Sequence, residues 1–536
     1  MRSALQTQIK LLGICCFLSI GGFLFGYNQS LMTGLLLSDE FMRTFHVNST
    51  EYAADLYLLL ITAHMAGAFF GAMVSGPLAD IIGRRGLVIT STLILTLGVL
   101  LVTAADAMSK IYAGRVITGI SVGISSTVIP MYLTEISPTI LRGRLVTIQQ
   151  FAIVFGISVA LLLCYAGTYI PNEAAWRLPS GLQLVPMIVY LIGSLFVPES
   201  PRYLIQRNLK EQALYSLASM RGDGSIEHQD VQMEFAAICQ TISFEKKYVS
   251  TSYKALFTNG RDKNLRRLAL GMGVQAFQQL TGANTFLLYA PAVLKAAEFD
   301  KDMSTLLANA IVNCVVVAGT IPAFFFIDTW SRRSTMMIGA LTMGVCSILL
   351  AILGSINHFR LENAKLDYEL HLTLVEGSQN VVHQLNRTSI AFVVFTFILV
   401  FTFGCTWGPI GWIYPVELFS YGLRSKGQSL STMSNWFFTF GVVQLSPLAL
   451  DRIGWEVYII YAIFNAAIAL LVYLYFPETA NRSLEELDLL FSGNYKKYDP
   501  KVHHSRTAAD ALRQLETQQQ RSYQDAIFAA ATSRAR

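Results

Sequence analysis

The chain has 536 residues, of which 53% are hydrophobic and only 14% charged, with a formal net charge of +5 and a mean hydropathy of +0.46. Soluble domains carry about 25% charged residues, so most of this surface has lipid for a solvent and a soluble enzyme is excluded. The small positive excess needs no nucleic acid to account for it, because basic residues on the cytoplasmic face of a membrane protein supply it.

A helix needs about 20 apolar residues to cross the hydrocarbon core, where every backbone amide must be bonded internally. Runs of that kind predict spans over 11–37, 55–79, 86–105, 110–134, 145–168 and 178–197, then 266–294, 303–327, 334–356, 391–416, 427–449 and 455–476. These twelve helices make an all-α membrane protein in two six-helix halves. The first run follows basic residues, as a cleaved leader does, but it is too long and passes into Tyr27, Asn28 and Gln29 without a small-residue cleavage site. An uncleaved first span is therefore expected. The chain divides into an N-terminal half (1–198), a charged, helix-compatible cytoplasmic linker (199–264), a C-terminal half (265–478) with a polar external insertion (357–389), and a tail (479–536) that is disordered after SLEELDLLF.

One charged pattern occurs twice. Asp80 precedes Arg84 and Arg85, and Glu135 precedes Arg142; in the second half Asp328 precedes Arg332 and Arg333, and Glu417 precedes Arg424. Spacings of four and of seven recur, which indicates a duplicated membrane unit. All these basic residues fall on one side of the predicted spans, so that side is cytoplasmic and both termini lie inside. The sequons at Asn48 and Asn386 then fall in external loops and are candidate glycosylation sites. No cysteine falls in an external loop, so no disulfide framework, metal cluster or cofactor is implied. No GxxxxGK[ST] loop occurs, which argues against a pump driven directly by ATP.

Gln278, Gln279 and Asn284 crowd the seventh span. Positions 278 and 284 are nearly two turns apart on roughly one helix face, and amides are expensive in lipid unless they point inward. Each can hydrogen-bond a ligand or a neighbouring helix.

The motifs GPLADIIGRR, AGRVITGISVG, PMYLTEISPTILRGR, PESPRYL, FQQLTGANTFLLY, TWGPIGWIYPVELF and PETANRSLEEL follow one another in this order. In that order, over about residues 11–490, they resemble the sugar porter family of the major facilitator superfamily, most closely its fungal hexose and polyol members. The resemblance implies a monomeric carrier of the plasma membrane that exposes a central site alternately to either side and takes a hexose or small polyol. It implies a cytoplasmic gate of Asp80, Arg84, Arg85, Glu135, Arg142, Asp328, Arg332, Arg333, Glu417 and Arg424, with Glu199 and Glu478 beside it. Exposed ion pairs, worth about 0–1 kcal/mol each, suit a gate that must break and reform; the same charges also set topology and cap helices.

The family's pocket adds Gln150, Asn313, Trp412 and Asn435 to the three amides of the seventh span, while Trp407 is expected to pack at the helix break beside Gly408 and Pro409. Leu288 interrupts the family's tandem tyrosines, and Ser331 and Thr439 replace a usual glycine and asparagine. Proton-coupled relatives carry an aspartate in the first span, paired with an arginine corresponding to Arg115. Here the position is Asn28, and a neutral amide cannot exchange a proton. Facilitated uniport is expected, with proton symport as the alternative, since FGYNQSLMTG otherwise resembles symporters. A non-transporting sensor is disfavoured by a tail of only 58 residues after Glu478.

Overall fold

The structure, a computed structural model, describes residues 2–47, 50–221, 224–248, 251–260, 263–288, 305–371, 379–480, 482, 487 and 491. The first span is the helix Arg2–Leu35, and the second and third form one helical stretch, Thr50–Thr103, kinked inside. The fourth is Met108–Ile136, the fifth Arg142–Gly167, and the sixth Ala174–Leu182 with Leu184–Ser194. In the second half the seventh span is Asn264–Leu280 with Ala283–Leu288, and the eighth is Thr305–Phe326. The ninth is Arg332–His371, the tenth Gln379–Cys405 with Trp407–Leu418, the eleventh Tyr421–Ile453 and the twelfth Val457–Tyr475.

Nine stretches among the described residues are long and apolar enough to cross a membrane. Two of them, Leu58–Thr103 and Tyr421–Tyr475, hold two spans each. The seventh span, divided by Gly282, completes the twelve. Large side chains such as Phe70, Leu97, Val185, Ile338 and Leu470 are more than half exposed around the outside of the bundle, where hydrocarbon is the expected neighbour. The ninth and tenth helices continue well into the polar insertion. Asn386 lies within the helix Gln379–Cys405, whereas Asn48 lies outside the described residues.

Three breaks have local causes. At the turn between the second and third spans Gly83 has φ +83°, and a Cβ there would meet Glu199 Oε2 at 2.4 Å. Only glycine meets both conditions cheaply. The seventh span does not run through Asn284 as one continuous helix, contrary to the sequence reading. It stops at Thr281, and Gly282, at φ +84°, starts a new segment. In the tenth span Pro409 has no amide to offer the carbonyl of Cys405, and the helix breaks at the intervening Thr406.

Among its described residues the linker forms four helices, Pro201–Gln206, Lys210–Arg221, Gln229–Tyr248 and Tyr253–Leu256. Ser200 caps the first by accepting from the Tyr203 amide, with Pro201 in the first turn. Leu204, Leu217, Val231 and Ile238 make a small core that also takes in Tyr421 of the eleventh span. Tyr203 of the linker donates its hydroxyl to the Ile81 carbonyl at 2.9 Å, so the linker is anchored on both halves.

The halves meet along two seams, the second span against the eleventh and the fifth against the eighth. Within the N-terminal half, helices approach backbone to backbone at glycines. A Cβ on Gly26 would lie 1.9 Å from the Ile153 carbonyl oxygen, and one on Gly71 2.1 Å from that of Ile120. Close approach of small residues is the main adhesive between helices in lipid. Gly71→Val is expected to separate the second and fourth spans and abolish the monodisperse peak on size-exclusion chromatography in mild detergent; a normal peak would show that this contact is dispensable.

Candidate functional site

A cavity of about 520 Å³ lies on the axis of the bundle, lined by Gln150 from the fifth span, Gln278, Gln279 and Asn284 from the seventh, Trp412 from the tenth and Asn435 from the eleventh. Six of the seven expected pocket residues therefore share one wall system. The seventh, Asn313, lines an adjoining lobe, and its Nδ2 donates to the Asn309 carbonyl of its own helix at 2.9 Å.

The amides form a chain. Asn435 Nδ2 donates to Gln275 Oε1 at 2.6 Å and to Gln278 Oε1 at 2.9 Å, and Gln279 Nε2 donates to Gln278 Oε1 at 3.3 Å. Asn284 Nδ2 donates in turn to Gln279 Oε1. Gln278 Nε2 reaches the carbonyl of Trp407 at 2.9 Å, just past the break at Thr406. Gly411 permits that approach, because a Cβ there would sit 2.3 Å from Gln278 Nε2. Trp412 Nε1 donates across the halves to Gln150 Oε1 at 2.8 Å. Trp407 is fully buried and donates to the Met336 carbonyl at 3.1 Å, a packing role.

Sequence reasoning missed Phe25, Gln29 and Trp436, which also line the cavity. Phe25 touches both indoles, with ring centroids 6.2 Å from Trp412 and 5.5 Å from Trp436. The available signals were a second polar residue directly after Asn28 and an indole directly after Asn435. Thr439 faces the cavity as well, whereas Tyr289 lies outside the described residues.

Asn28, directly before the cavity-lining Gln29, meets Arg115. Arg115 Nη1 donates to the Asn28 carbonyl at 2.9 Å and to its Oδ1 at 3.1 Å, and Asn28 Nδ2 donates to Gln183 Oε1 at 2.9 Å. Both residues are 2% exposed. Among the described residues no carboxylate pairs with Arg115.

The repeated charges collect at one end of the bundle and make the same contacts twice. Arg84 pairs with Glu135 at 2.9 Å, as Arg332 does with Glu417 at 3.7 Å. Glu199 Oε1 accepts from the Arg84 amide at 3.0 Å and its Oε2 from the Arg85 amide at 3.1 Å, capping the third span; Glu478 caps the ninth through the Arg332 and Arg333 amides at 2.9 and 3.1 Å. Tyr132 and Tyr414 donate to the carbonyls of Pro198 and Pro477, and Ser200 and Thr479 to the carboxylates of Glu135 and Glu417. Arg85 and Arg333 donate to the carbonyls of Leu195 and Tyr473.

These pairs differ from the exposed ones expected of a gate. Arg84 and Glu135 are 1% and 0% exposed, and removing one partner of such a pair costs about 3–5 kcal/mol. They brace each half internally. Contacts between the halves are a different set: Asp328 caps the fifth span through the Gly143 and Arg144 amides at 2.8 and 3.0 Å, and Asp80 lies 3.4 Å from Lys426. Lys426 Nζ also donates to the Thr251 carbonyl of the linker. Arg424 is buried with its guanidinium over the Tyr421 ring, and Arg142 lies within electrostatic reach of Glu417 across the seam.

Two six-span halves around an axial polar cavity define the architecture of a major facilitator carrier. The chain matches the family model described as "Sugar (and other) transporter" over residues 14–491, and it belongs to that family. It is 30% identical over 488 residues to the MFS glucose transporter mfs1 of Aspergillus flavus, covering 89% of each chain. It is also 30% identical to the high-affinity glucose transporter of Kluyveromyces lactis, covering 89% of this chain and 84% of that one. Among solved structures, the proton:xylose symporter XylE bound to 6-bromo-6-deoxy-D-glucose shares the fold at a TM-score of 0.73 and 23% identity, over 90% of this chain and 100% of that one. The inward open form of XylE from E. coli matches at 0.62 and 22% identity, over 90% and 99%. The protein is a multi-pass membrane sugar transporter.

Glu199 and Glu478 occupy equivalent places with opposite electrostatics. Burial holds the Glu199 carboxyl above the usual range. At Glu478 burial pushes the same way, but hydrogen bonds from Ser331 and the amides of Ala480, Arg333 and Arg332 outweigh it and hold the group below that range. A raised carboxyl stabilises the fold as pH falls toward its unfolded value; a depressed one stabilises above that value and loses the contribution on acidification. Glu199→Gln is therefore expected to leave the melting temperature at pH 7.5 unchanged or higher. Glu478→Gln should lower it, with the deficit shrinking by pH 4; deficits of one sign in both variants would contradict the assignment.

Proposed function

We propose that the chain is an alternating-access carrier of a hexose or small polyol and works as a facilitator. The observation that carries the facilitator reading is the Asn28–Arg115 contact: a neutral amide occupies the place where a proton carrier would be needed, and it is already bonded on both its oxygen and its nitrogen. The cavity supports the substrate class. Amides donate and accept, as sugar hydroxyls do, and Phe25, Trp412 and Trp436 offer faces to the apolar side of a pyranose. The residues proposed to hold the substrate are Gln150, Gln278, Gln279, Asn284, Trp412 and Asn435.

In this reading the arginine-rich end is cytoplasmic, together with both termini, the linker and the tail, and the membrane is the plasma membrane. Asn48 and Asn386 are the glycosylation sites on the outside. The halves, residues 1–198 and 265–478, move as bodies held rigid by the buried Arg84–Glu135 and Arg332–Glu417 pairs. The gate is the weaker set between them, Asp328 on the fifth span and Asp80 with Lys426.

One observation favours proton symport as a second reading. His64, 1% exposed, stands beside Thr118 with its Nδ1 3.3 Å from the hydroxyl, and its Nε2 has no partner. It is a titratable group near Arg115, in the region where the aspartate is missing.

Uptake of labelled hexose into proteoliposomes is expected to saturate and to ignore an imposed proton gradient. Accumulation above the external concentration on acidifying the outside would establish symport, and then His64→Gln should abolish it. Binding of sugar with no uptake at all would indicate a sensor. Gln279→Ala and Trp412→Ala are each expected to raise the apparent KM about tenfold, the equivalent of one lost hydrogen bond to a ligand, with unchanged surface abundance. Unaltered kinetics in both would remove them from the site.

A further inference from the structure

A cleft of about 830 Å³ opens at the arginine-rich end of the N-terminal half and shares no residue with the central cavity. Lys10, Ile14 and Phe17 of the first span form one wall, and Phe196 and Val197, just past the sixth span, form the other. Ser219 of the linker helix Lys210–Arg221 closes one side. The neighbours fix its place at that end: Arg85 donates to the Leu195 carbonyl, and Tyr132 to that of Pro198.

The wall on the first span is graded from polar to apolar. Lys10, Gly13, Ile14 and Phe17 fall at i, i+3, i+4 and i+7, hence on one helix face, and the helix rise places Phe17 about 10 Å deeper than Lys10. Gly13 keeps this face open, because a Cβ there would meet nothing within 4 Å. Gly193 lets the two walls touch at depth, since its own Cβ would lie 2.3 Å from the Phe17 ring. Around the mouth Ile9, Ile192 and Phe196 are all more than half exposed, where hydrocarbon is the expected neighbour. No carboxylate lines the cleft, and among the described residues none pairs with Lys10. A cation at the polar rim of an open apolar trough is complementary to an anionic amphiphile. A soluble anion would meet one lysine and walls of isoleucine, valine and phenylalanine, with nothing to replace its water.

We propose that this cleft binds an anionic phospholipid from the leaflet at the arginine-rich end, with the headgroup charge on Lys10 and one acyl chain lying over Gly13 and Ile14 between Phe17 and Phe196. The linker helix supplies Ser219, so the bound lipid joins the linker to the first and sixth spans and stabilises the N-terminal half. The site is separate from the cargo's and stands whatever the cargo is.

The test is the melting temperature of the purified full chain in a neutral detergent, titrated with phosphatidylserine, with phosphatidylcholine of the same acyl chains, and with soluble glycerophosphoserine. Phosphatidylserine is expected to raise it saturably, phosphatidylcholine to raise it less, and glycerophosphoserine to leave it unchanged. Lys10→Gln should raise the half-saturating phosphatidylserine concentration about fivefold, the worth of one lysine at an anionic lipid surface, while Lys10→Arg keeps the full-chain value. Gly13→Leu puts a side chain into the trough from a position whose Cβ meets nothing, and leucine favours the helix. That variant should lose the lipid response while its lipid-free melting temperature stays the same or rises. Equal responses to the two lipids, no response in the full chain, or a phosphatidylserine response unchanged in either Lys10→Gln or Gly13→Leu would overturn the proposal. A response to glycerophosphoserine equal to that of the lipid would also overturn it, and would make the cleft a small-anion site.

Discussion

A carboxylate seated on the amide end of a membrane helix is the contact on which this architecture turns. The first amides of a helix have no partner within it, and the bilayer offers none. Glu199 and Glu478 satisfy those of the third and ninth spans from within their own halves, and Asp328 satisfies those of the fifth from the other half. The third crosses the seam between the halves, and the first two do not. Gly143 is required for it, since a Cβ there would lie 2.1 Å from Asp328 Oδ1. One physical device is therefore used both beside each half and across the seam between them.

The duplication is equally plain in the contacts around these caps. Arginine to carboxylate, tyrosine to proline carbonyl, and hydroxyl to the same carboxylate recur in both halves with different residues, serine in one and threonine in the other. Symmetry fails at the linker, which brings the Thr251 carbonyl and the Tyr253 ring to Lys426 on one seam only. The two seams are built alike in principle and unequally in detail.

Much of this was legible in the sequence. Twelve apolar runs required twelve spans, and the spacing of the charges located one polar end, because lipid allows few alternatives. The burial of Arg84 and Glu135 was not legible, because spacing along the chain does not tell whether two charges face water or each other. The break at Gly282 escaped as well, since a glycine within an apolar run is tolerated in many helices. Phe25 and Trp436 look like ordinary lipid-span aromatics until the folded chain lines the cavity with both and sets Phe25 between Trp436 and Trp412. Asn313 was assigned to the main pocket by resemblance, yet it lies one lobe farther along, because the eighth span presents it beside Thr33 and not beside Gln150.

The indole–amide bond from Trp412 to Gln150 joins the two halves across the central cavity. Its donor and acceptor are both cavity-lining side chains, so any molecule that bonds either atom there competes with the tie between the halves. One pair of atoms therefore links the hold between the halves to the affinity of the space between them, and a substitution that removes the bond changes both at once.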